Sequence, residues 1–564
     1  MIVGIDLGTT HSLIGVHENG SVRLLPNGLG DLLTPSAVSL AEDGTMLVGK
    51  SALDRLLSHP GRTVANFKRW MGTDREVRLG AQRFRAEELS ALVLRSLIAD
   101  AEHALGEKVT EAVISVPAYF SDAQRRATRA AGQLAGITVE RLINEPTAAA
   151  LAYGLNERAD DIQFMVCDLG GGTFDVSILE IFDGVVQVHA SSGDNHLGGE
   201  DFLDVLEGAC RRECGLQDEG ALNPSARSQL RRVLEQAKRT LTGAKAAPVE
   251  LKLQLAGHEI DWTLAPERYE ELCEPHLLRI RKPIERALRD SGLEAVDMDA
   301  VVLVGGATRM GMVPRLISRL FQQLPLRHVN PDEAIVQGAC VAAGMKVRDS
   351  ALEEVVLTDV CPYTLGVSSL VEGTGPSRQL AFSPIIERNS TVPSSRMKTF
   401  YPASPRQTEV RFDVYQGESP IVEHNIKLGE LTLAIPPGKT EDERAIEVRF
   451  TYDVNGVLQV EANVRGSSHR EELILEQNAG VLTEEEIRER LKKLEHIKIH
   501  PLDQQENIAI IARMERLYEE YLEFRPALTI KLLGFRELLE TQDLEEIAKQ
   551  RHELEAMLDR MERL

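Results

Sequence analysis

Asp168-Leu169-Gly170-Gly171-Gly172-Thr173-Phe174-Asp175 is the stretch around which the chain is organised. It lies between two apolar runs, residues 164–167 and 176–179, so the pattern predicts two strands joined by a tight glycine turn. Adjacent glycines let backbone N–H groups approach an anion without interference from Cβ atoms. The flanking carboxylates and the Thr173 hydroxyl suit a hydrated divalent cation that carries phosphate. The stretch therefore indicates nucleoside triphosphate chemistry.

A similar stretch, Asp6-Leu7-Gly8-Thr9-Thr10, follows the first apolar run of the chain and precedes another, residues 12–16. Either stretch alone is more simply a β-hairpin with a glycine turn. Neither carries the Gly-Lys-Ser/Thr of a Walker loop or the dinucleotide fingerprint. The pair resembles the actin, sugar kinase and heat-shock ATPase superfamily, in which two such hairpins grip the phosphates of ATP from opposite sides of a cleft.

Length and charge limit the classes of protein that remain. A chain of 564 residues is too long for one core, so roughly two to four domains are expected. The net charge of −23 disfavours nucleic acid as a partner. No apolar run approaches the length of a membrane span, and the first strand begins at Met1, so we expect a cytoplasmic protein without a membrane partner. The cysteines show no CxxC pairing, which fits a reducing compartment. For Cys210 and Cys214, one helical turn apart, packing is favoured over metal binding.

Strands and helices alternate through residues 112–150, which places the first domain in the α/β class. Several polar residues along it have two interpretations. Lys68 could face a phosphate or be a solvated helix residue, and its own segment favours the solvated interpretation. Glu145 could orient a water molecule or be only an acidic cap, and the helical group around Lys238 could be an exposed ion-paired face. Gly305-Gly306 follows a buried strand, where a flat adenine ring can lie against backbone.

Taken in order, these passages resemble the ATPase domain of the 70-kDa heat-shock chaperones, the DnaK-like family. The matching passages are residues 5–10, 116–120, 143–150, 168–175, 197–202, 303–309 and 330–334. The resemblance implies ATP and Mg²⁺ as cofactors, with K⁺ as an option, and hydrolysis of ATP to ADP and phosphate. Asp6, Asp168 and Asp175 would hold the hydrated magnesium ion.

The resemblance also implies the remaining roles in the ATPase domain. Lys68 and Glu145 would position the attacking water, and Asp168 and Thr173 complete the catalytic set. The implied nucleotide-binding residues are Gly8, Thr9, Thr10, Gly170, Gly171, Gly172, Gly198, Gly199, Glu235, Lys238, Arg239, Gly305, Gly306, Arg309 and Asp332.

A short apolar segment between acidic flanks, residues 353–360, follows the α/β region. As a plain buried strand it would be unremarkable. Its position resembles the interdomain linker of the family, which binds the ATPase domain in one nucleotide state and is released in the other. Thr358 replaces an apolar residue expected there, so weaker docking is expected. From Tyr363 to Gln477, short alternating strands separated by turns predict an all-β sandwich, with strands expected at residues 365–369, 397–401, 409–415, 446–453, 458–464 and 471–475.

The resemblance implies a groove in this sandwich for an extended peptide. The expected lining residues are Leu365, Val367, Leu370, Phe400, Ala403, Val410, Phe412 and Ile446. The same alternation also fits residues of the sandwich core. By resemblance, Pro117 and Arg125 belong to the switch that couples the domains. The expected docking region for a J-domain co-chaperone contains Arg141, Asn144 and Asp359.

The C-terminal segment is highly charged and is predicted to be helical, with a capping box at residues 483–486 and breaks at Pro501 and Pro526. It resembles the family's lid without the flexible tail of longer members. The compact spacing between Lys68 and Pro117 suggests that hairpins used as exchange-factor contacts are absent. These departures make the short bacterial HscC branch the nearest resemblance.

The expected architecture is multidomain, α/β followed by β and then α. It comprises an actin-like, duplicated ribonuclease H-like ATPase domain (1–350), a linker (351–362), a β-sandwich substrate-binding domain (363–480) and a short helical lid (481–564). The expected function is that of an ATP-dependent molecular chaperone for extended hydrophobic segments of unfolded proteins, stimulated by a J-domain partner. The alternatives are a specialised regulator or co-chaperone with few clients and, less favoured, a small-molecule kinase. The need for a nucleotide exchange factor stays open.

Overall fold

A computed structural model describes most of the chain. The described residues are 1–154, 162–182, 185–218, 222–243, 245–255, 257–326, 330–346, 356–372, 378–404, 406–436, 442–453, 456–465, 470–474, 486, 489–490, 505–521, 524–541 and 544–562. The start of the expected linker, residues 351–355, lies outside them. So do Thr483, Pro501 and most of residues 475–504, where the lid was expected to begin.

The strands are β1 (Ile2–Leu7), β2 (His11–Glu18), β3 (Ser21–Leu25), β4 (Thr34–Pro35), β5 (Ala37–Leu40), β6 (Met46–Val48), β7 (Thr63–Ala65), β8 (Glu76–Leu79), β9 (Gln82–Arg85), β10 (Glu111–Val116), β11 (Thr138–Asn144), β12 (Ile162–Leu169), β13 (Phe174–Phe182), β14 (Val185–Asp194), β15 (Val249–Leu255), β16 (His258–Leu264), β17 (Ala300–Val304), β18 (Val356–Val360), β19 (Leu365–Glu372), β20 (Arg378–Ile386), β21 (Thr391–Val392), β22 (Ser394–Phe400), β23 (Glu409–Gln416), β24 (Ile426–Ala434), β25 (Ile446–Tyr452), β26 (Leu458–Val464) and β27 (Arg470–Ile474).

The helices are α1 (Lys50–Ser58), α2 (Ala86–Leu105), α3 (Asp122–Ala135), α4 (Glu145–Gly154), α5 (Gly199–Glu213), α6 (Pro224–Thr242), α7 (Pro266–Ser291), α8 (Met312–Phe321), α9 (Ala334–Lys346), α10 (Gln505–Glu520), α11 (Arg525–Thr541) and α12 (Leu544–Met561). None of these described helices is both long enough and apolar enough to cross a lipid bilayer.

Two sheets of the first region repeat one pairing pattern. In the first sheet, ordered β11-β10-β1-β2-β3, strand β1 pairs antiparallel with β2 and parallel with β10. In the second, ordered β17-β12-β13-β14-β18-β21, strand β12 pairs antiparallel with β13 and parallel with β17. Each acidic hairpin of the sequence thus occupies the same place in its own sheet. This repetition fits the expected duplication.

Helices α4 and α9 lie together between the two sheets. They cross closely, because a Cβ atom on Gly338 would lie 1.7 Å from the carbonyl oxygen of Ala148. Their small residues join one buried core with Val113 of the first sheet and Val166 of the second. Any side chain larger than hydrogen at residue 338 would force the two helices apart.

The β-sandwich consists of the sheets β20-β19-β23-β24 and β22-β25-β26-β27. Buried side chains alternate with mostly half-buried ones along β25 and β26, as expected for strands with one face in a core. Val367 and Phe412 from one sheet meet Val448 and Phe450 from the other in a single cluster. The strands expected from the sequence are present, and the structure adds β20 and β24.

Strand β18, in the linker region, connects these parts. Its residues Val356, Leu357 and Thr358 pair in parallel with β14, and Asp359 and Val360 pair antiparallel with β21. The second sheet therefore continues from the α/β region through the linker into the first residues of the sandwich region.

Helix α10 of the C-terminal segment packs on α1, far away in sequence. Nε of Arg516 lies 3.0 Å from a carboxylate oxygen of Asp54, and Arg55 and Glu515 form a longer pair at 3.8 Å. The three C-terminal helices share their own core, which includes Met514 and Phe535. The C-terminal segment is thus docked on the α/β region.

Candidate functional site

Three aspartates lie at the ends of strands where the two hairpins turn. Asp168 on β12 is directly opposite Asp175 on β13, a consequence of the antiparallel register. Asp6 occupies the matching place near the end of β1. All three are buried, with Asp6 the most exposed at 7%. Buried carboxylates need partners or a cation, so this arrangement requires compensation.

Part of that compensation comes from the protein. Asp6 Oδ1 accepts a hydrogen bond of 2.7 Å from the Ser115 hydroxyl, and Asp175 Oδ1 accepts one of 2.9 Å from the Tyr119 backbone N–H. The Oδ2 atoms of Asp168 and Asp175 are buried and accept no hydrogen bond from any described residue. Carboxylate oxygens left in this way fit the coordination shell of a hydrated Mg²⁺ ion.

The pKa values of the three carboxylates also indicate a site for a cation. Burial, followed by the charge of Glu145, raises the pKa of Asp6 and of Asp175 to about 7. Burial and the charges of Glu145, Asp175 and Asp6 raise the pKa of Asp168 well above its usual value. A divalent cation between them would remove the repulsion and restore the ionised forms. The described residues include no group of three or more Asp, Glu, His or Cys side chains arranged to hold a metal ion unaided.

Lys68 and Glu145 form a buried ion pair beside these carboxylates. The Lys68 ammonium lies 2.9 Å from Glu145 Oε1, and the two side chains are only 5% and 7% exposed. Lys68 comes from the 3₁₀ turn Phe67–Trp70, and Glu145 begins α4 directly after β11. The solvated interpretation that the sequence around Lys68 favours is therefore wrong. A buried pair next to a cluster of acids can hold and orient a water molecule.

The glycine loop 170–172 is held against the start of α5. The N–H of Gly199 donates to the Gly170 carbonyl at 2.9 Å, and the N–H of Glu200 donates to the Gly171 carbonyl at 3.0 Å. A Cβ on Gly198 would lie 2.3 Å from the backbone nitrogen of Gly172, so only glycine allows this approach. Thr9 is buried, whereas Gly8, Thr10, Thr173 and Gly171 are half-buried in the same region.

A second group of expected nucleotide residues lies around the end of β17. Gly305 has φ +82°, a conformation that favours glycine. Arg309 donates to Asn330 Oδ1 at 3.0 Å and to Asp332 at 2.5 Å, and a Cβ on Gly306 would lie 3.0 Å from Asp332 Oδ1. Gly305, Gly306, Arg309 and Asp332 are thus brought together, as expected.

The expected residues of α6 divide into buried and exposed members. Lys238 is buried, donates to the Gly199 carbonyl at 3.1 Å and pairs with Glu235 at 2.6 Å. Arg239 is exposed and pairs with Glu235 at 3.2 Å. Lys238 thereby joins α6 to the glycine-rich start of α5, and the interpretation as a purely exposed ion-paired face holds only for Arg239.

The expected coupling residues form one chain of contacts. Arg125 donates to Asn144 Oδ1 at 2.7 Å and to the Ala118 carbonyl at 3.0 Å, and the Pro117 carbonyl accepts the Phe120 N–H. Asn144 in turn donates to Asp359 at 2.6 Å. Burial raises the pKa of Asp359, while the charges of Arg125 and Arg141 oppose that rise.

The residues expected to line a peptide groove are not all placed alike. Leu365, Val367, Phe412 and Ile446 are buried in the sandwich core. Phe400 and Val410 are half-buried, and Leu370 and Ala403 are exposed. The described sandwich surface also exposes Leu380, Met397 and Tyr401.

Sequence reasoning assigned no role to several polar contacts of the site. Arg69, adjacent to Lys68, lies against Gly172 and pairs with Asp201. Tyr363 donates its hydroxyl to the Tyr119 carbonyl at 2.7 Å, and the two rings lie 4.3 Å apart. The position of Arg69 next to a candidate phosphate-facing lysine was the one available signal. Nothing local to Tyr363 indicates its partner 244 residues away.

The described residues contain two acidic, glycine-rich hairpins in an α/β region, which a strand joins to a β-sandwich. This arrangement fits a multidomain protein of the actin-like ATPase class. A family model described as Hsp70 protein matches residues 2–79 and 74–563. The chain belongs to the Hsp70 family, so the resemblance to the 70-kDa heat-shock chaperones is confirmed. Members of this family are ATP-binding heat-shock chaperones that assist protein folding.

Proposed function

We propose that this chain is an ATPase that works as a chaperone for extended hydrophobic segments of unfolded proteins, with ATP hydrolysis closing its peptide groove. The observation that carries the proposal is the linker strand β18, which is bonded to β14 on one side and to β21 on the other. A strand shared in this way makes the arrangement of the sandwich depend on that of the α/β region.

The proposed roles at the nucleotide site follow from burial and charge. Asp6, Asp168 and Asp175 would hold a hydrated Mg²⁺ ion, which would neutralise phosphate charge when bound. Lys68 and Glu145, paired at 2.9 Å, would orient the attacking water, and Thr173 would face the phosphates. Little covalent chemistry is required of the protein, because hydrolysis of this kind depends on positioning and charge stabilisation. K⁺ stays an optional cofactor.

The proposed route of coupling has two branches, one from the loop after β10 and one from the end of β11. In one, the Tyr119 N–H holds Asp175 and the Tyr119 carbonyl accepts from Tyr363 at the start of the sandwich. In the other, Asn144, next to Glu145, holds Asp359 of the linker strand. Asp175 and Glu145 of the nucleotide site are therefore each connected to the sandwich or to the linker strand through no more than two contacts. A reciprocal coupling between two ligands requires such a connection.

We propose that exposed Leu370 and Ala403, with half-buried Phe400 and Val410, contact the peptide. Leu365, Val367, Phe412 and Ile446 support the groove from the core. Backbone hydrogen bonding to an extended peptide would add affinity without much sequence demand.

The partners proposed besides clients are a J-domain co-chaperone, docking near Arg141, Asn144 and Asp359, and an exchange factor whose need stays open. Assignment to the short bacterial HscC branch and a cytoplasmic location without membrane or nucleic-acid partners stay predictions. The domain limits 1–350, 351–362, 363–480 and 481–564 also stay predictions.

Single-turnover ATP hydrolysis by the purified chain, with and without an extended hydrophobic peptide, tests the proposal. The peptide's dissociation rate is measured in parallel, before and after ATP is added. We expect peptide to accelerate hydrolysis and ATP to accelerate peptide release. If peptide does not change the rate of ATP hydrolysis and ATP does not change the rate of peptide release, the chaperone proposal is overturned. The proposal of an ATPase would remain.

A further inference from the structure

Arg69 joins two regions of the α/β structure across the glycine loop. It belongs to the turn Phe67–Trp70, yet its guanidinium donates to the Gly172 carbonyl at 3.4 Å and pairs with Asp201 on α5. A Cβ on Gly172 would lie 2.8 Å from Arg69 Nε and 3.1 Å from Thr9 Cγ2. Arg69 and Thr9 therefore flank the same glycine, at the place where the proposed function puts the phosphates.

The hydrogen bonding of this guanidinium is incomplete. Its Nε is buried and donates to no described residue, whereas Nη2 donates to both Gly172 and Asp201. The arginine side chain is 21% exposed and that of Asp201 is 17% exposed, so water has little access to the pair. The guanidinium is a planar group of N–H donors, and its buried Nε–H has no described partner beside the glycine loop. Such a group matches the arrangement of the oxygen atoms of a phosphate.

Asp201 can release Arg69 without losing all of its own contacts. Its Oδ2 also accepts a hydrogen bond of 2.7 Å from the Gly198 N–H, at the start of α5. A carboxylate that keeps one partner while it gives up another can exchange with a competing anion. Phosphate, with its greater charge, is such an anion.

We propose that Arg69 is a ligand of the phosphate product, and that Asp201 competes with phosphate for it. When phosphate is present, the guanidinium turns from the Asp201 carboxylate to the phosphate oxygens. When the Asp201 pair re-forms, phosphate leaves. This inference rests on the proposed function for the origin of the phosphate, but the binding of inorganic phosphate tests it independently.

The two partners should then have opposite effects, which an ion pair serving only to stabilise the fold would not produce. Asp201→Asn removes the competitor, so the full chain with Mg·ADP should bind inorganic phosphate about five-fold or more tightly. Arg69→Lys keeps the charge but loses the fork, and should weaken phosphate binding by a similar factor. Asp204→Asn, on the same helix and in an exposed pair with Arg231, is the control and should leave phosphate affinity unchanged.

Calorimetry measures the affinity of each variant for inorganic phosphate. In single-turnover reactions, a fluorescent phosphate sensor follows phosphate release, and quenched samples follow ATP cleavage. Release relative to cleavage should slow in Asp201→Asn and quicken in Arg69→Lys. The proposal is overturned if phosphate affinity changes in the same direction in both variants, or if it changes in neither variant. If the wild type cleaves no ATP but the affinities move oppositely, the proposed function fails and the phosphate site stands.

Discussion

The side-chain amide of Asn144 lies 2.6 Å from the carboxylate of Asp359, 215 residues further along the chain. Asn144 precedes Glu145, the acid of the buried ion pair, and Asp359 belongs to the linker strand β18. One hydrogen bond therefore separates the proposed hydrolytic site from the segment that joins the two domains.

Asp359→Ala removes this bond together with the longer contact to Thr147. We expect ATP affinity to be retained, because neither residue reaches the glycine loops, and peptide stimulation of hydrolysis to be lost. Asp261→Ala, at an exposed aspartate of β16 in a separate two-stranded sheet, serves as the control. Single-turnover kinetics with and without peptide measure the effect. Full stimulation in Asp359→Ala would show that the bond carries no coupling.

Thr173→Ala tests whether the phosphate loop signals to the sandwich. Thr173 lies between the glycine loop and β13, and its hydroxyl is the group proposed to face the phosphates. The variant should still bind ATP yet fail to release peptide when ATP is added. Thr240→Ala, at a half-buried threonine whose hydroxyl donates to the Gln236 carbonyl within α6, should behave as wild type. Unimpaired ATP-triggered release in Thr173→Ala would contradict the role.

Lys68→Ala should lower the rate of ATP hydrolysis by about 100-fold or more, because it breaks the pair proposed to orient water beside three buried acids. It leaves Glu145 buried without its cation, so we also expect a loss of roughly 3 kcal/mol in the unfolding free energy of the metal-free chain. Lys108→Ala, which breaks an exposed pair with Glu102, is the matched control and should change neither quantity. Activity within a few-fold of wild type would exclude Lys68 from the reaction.

Asp100 gives a pH dependence remote from the nucleotide. It is buried on α2 and accepts one hydrogen bond, from the Gly28 N–H, and burial raises its pKa from 3.8 to about 7. A raised folded-state pKa means that the folded chain holds the proton more tightly, so stability falls as pH rises from about 4 to about 7. We expect Asp100→Asn, which can still accept from Gly28, to remove part of this slope.

Urea unfolding of wild type and Asp100→Asn at pH 5 and pH 8 measures that difference. The variant should gain relative stability at the higher pH, by about 1.4 kcal/mol for each pH unit between pH 5 and the raised pKa of Asp100. Parallel pH profiles would show that Asp100 does not titrate in this window.

The bidentate pair of Arg388 and Asp290, at 2.7 and 2.8 Å, joins the loop after β20 to α7. Asp290→Lys should weaken domain docking by roughly 1 to 3 kcal/mol, and adding Arg388→Glu should restore much of it. Amide hydrogen exchange of residues 356–360 reports docking directly. Arg411→Glu, in an exposed pair within the sandwich, is the control. Failure of the double variant to recover protection would argue against a specific pair.

The paired hairpins were predictable because their signal is local. Asp168 and Asp175 face each other as a result of a short turn and strand alternation, both of which are visible in the sequence. The burial of Lys68 was not predictable from its segment, since its partner lies 77 residues away. For the same reason the contact of Tyr363 with Tyr119 had no local signal.

In the sandwich, the sequence analysis missed β20 and β24. Strand β20 contains Pro384, a residue that argues against a regular strand, and its pairing with β19 is irregular near Leu365 and Gly366. Strand β24 carries Gly429 beside a similar irregularity. The alternation of apolar residues also could not distinguish core residues from groove residues. A sandwich strand turns one apolar face inward whether or not its other face binds peptide.

The position of β18 beside β14 has a consequence for aggregation. While β18 is docked, it pairs with residues 185–187 at the start of β14 and covers their backbone edge. Release of β18 would leave these three residues at an open edge, where an extended chain can pair with them. An uncovered edge of this kind is open to pairing with other copies of the chain, so we expect release of β18 to raise the tendency to aggregate.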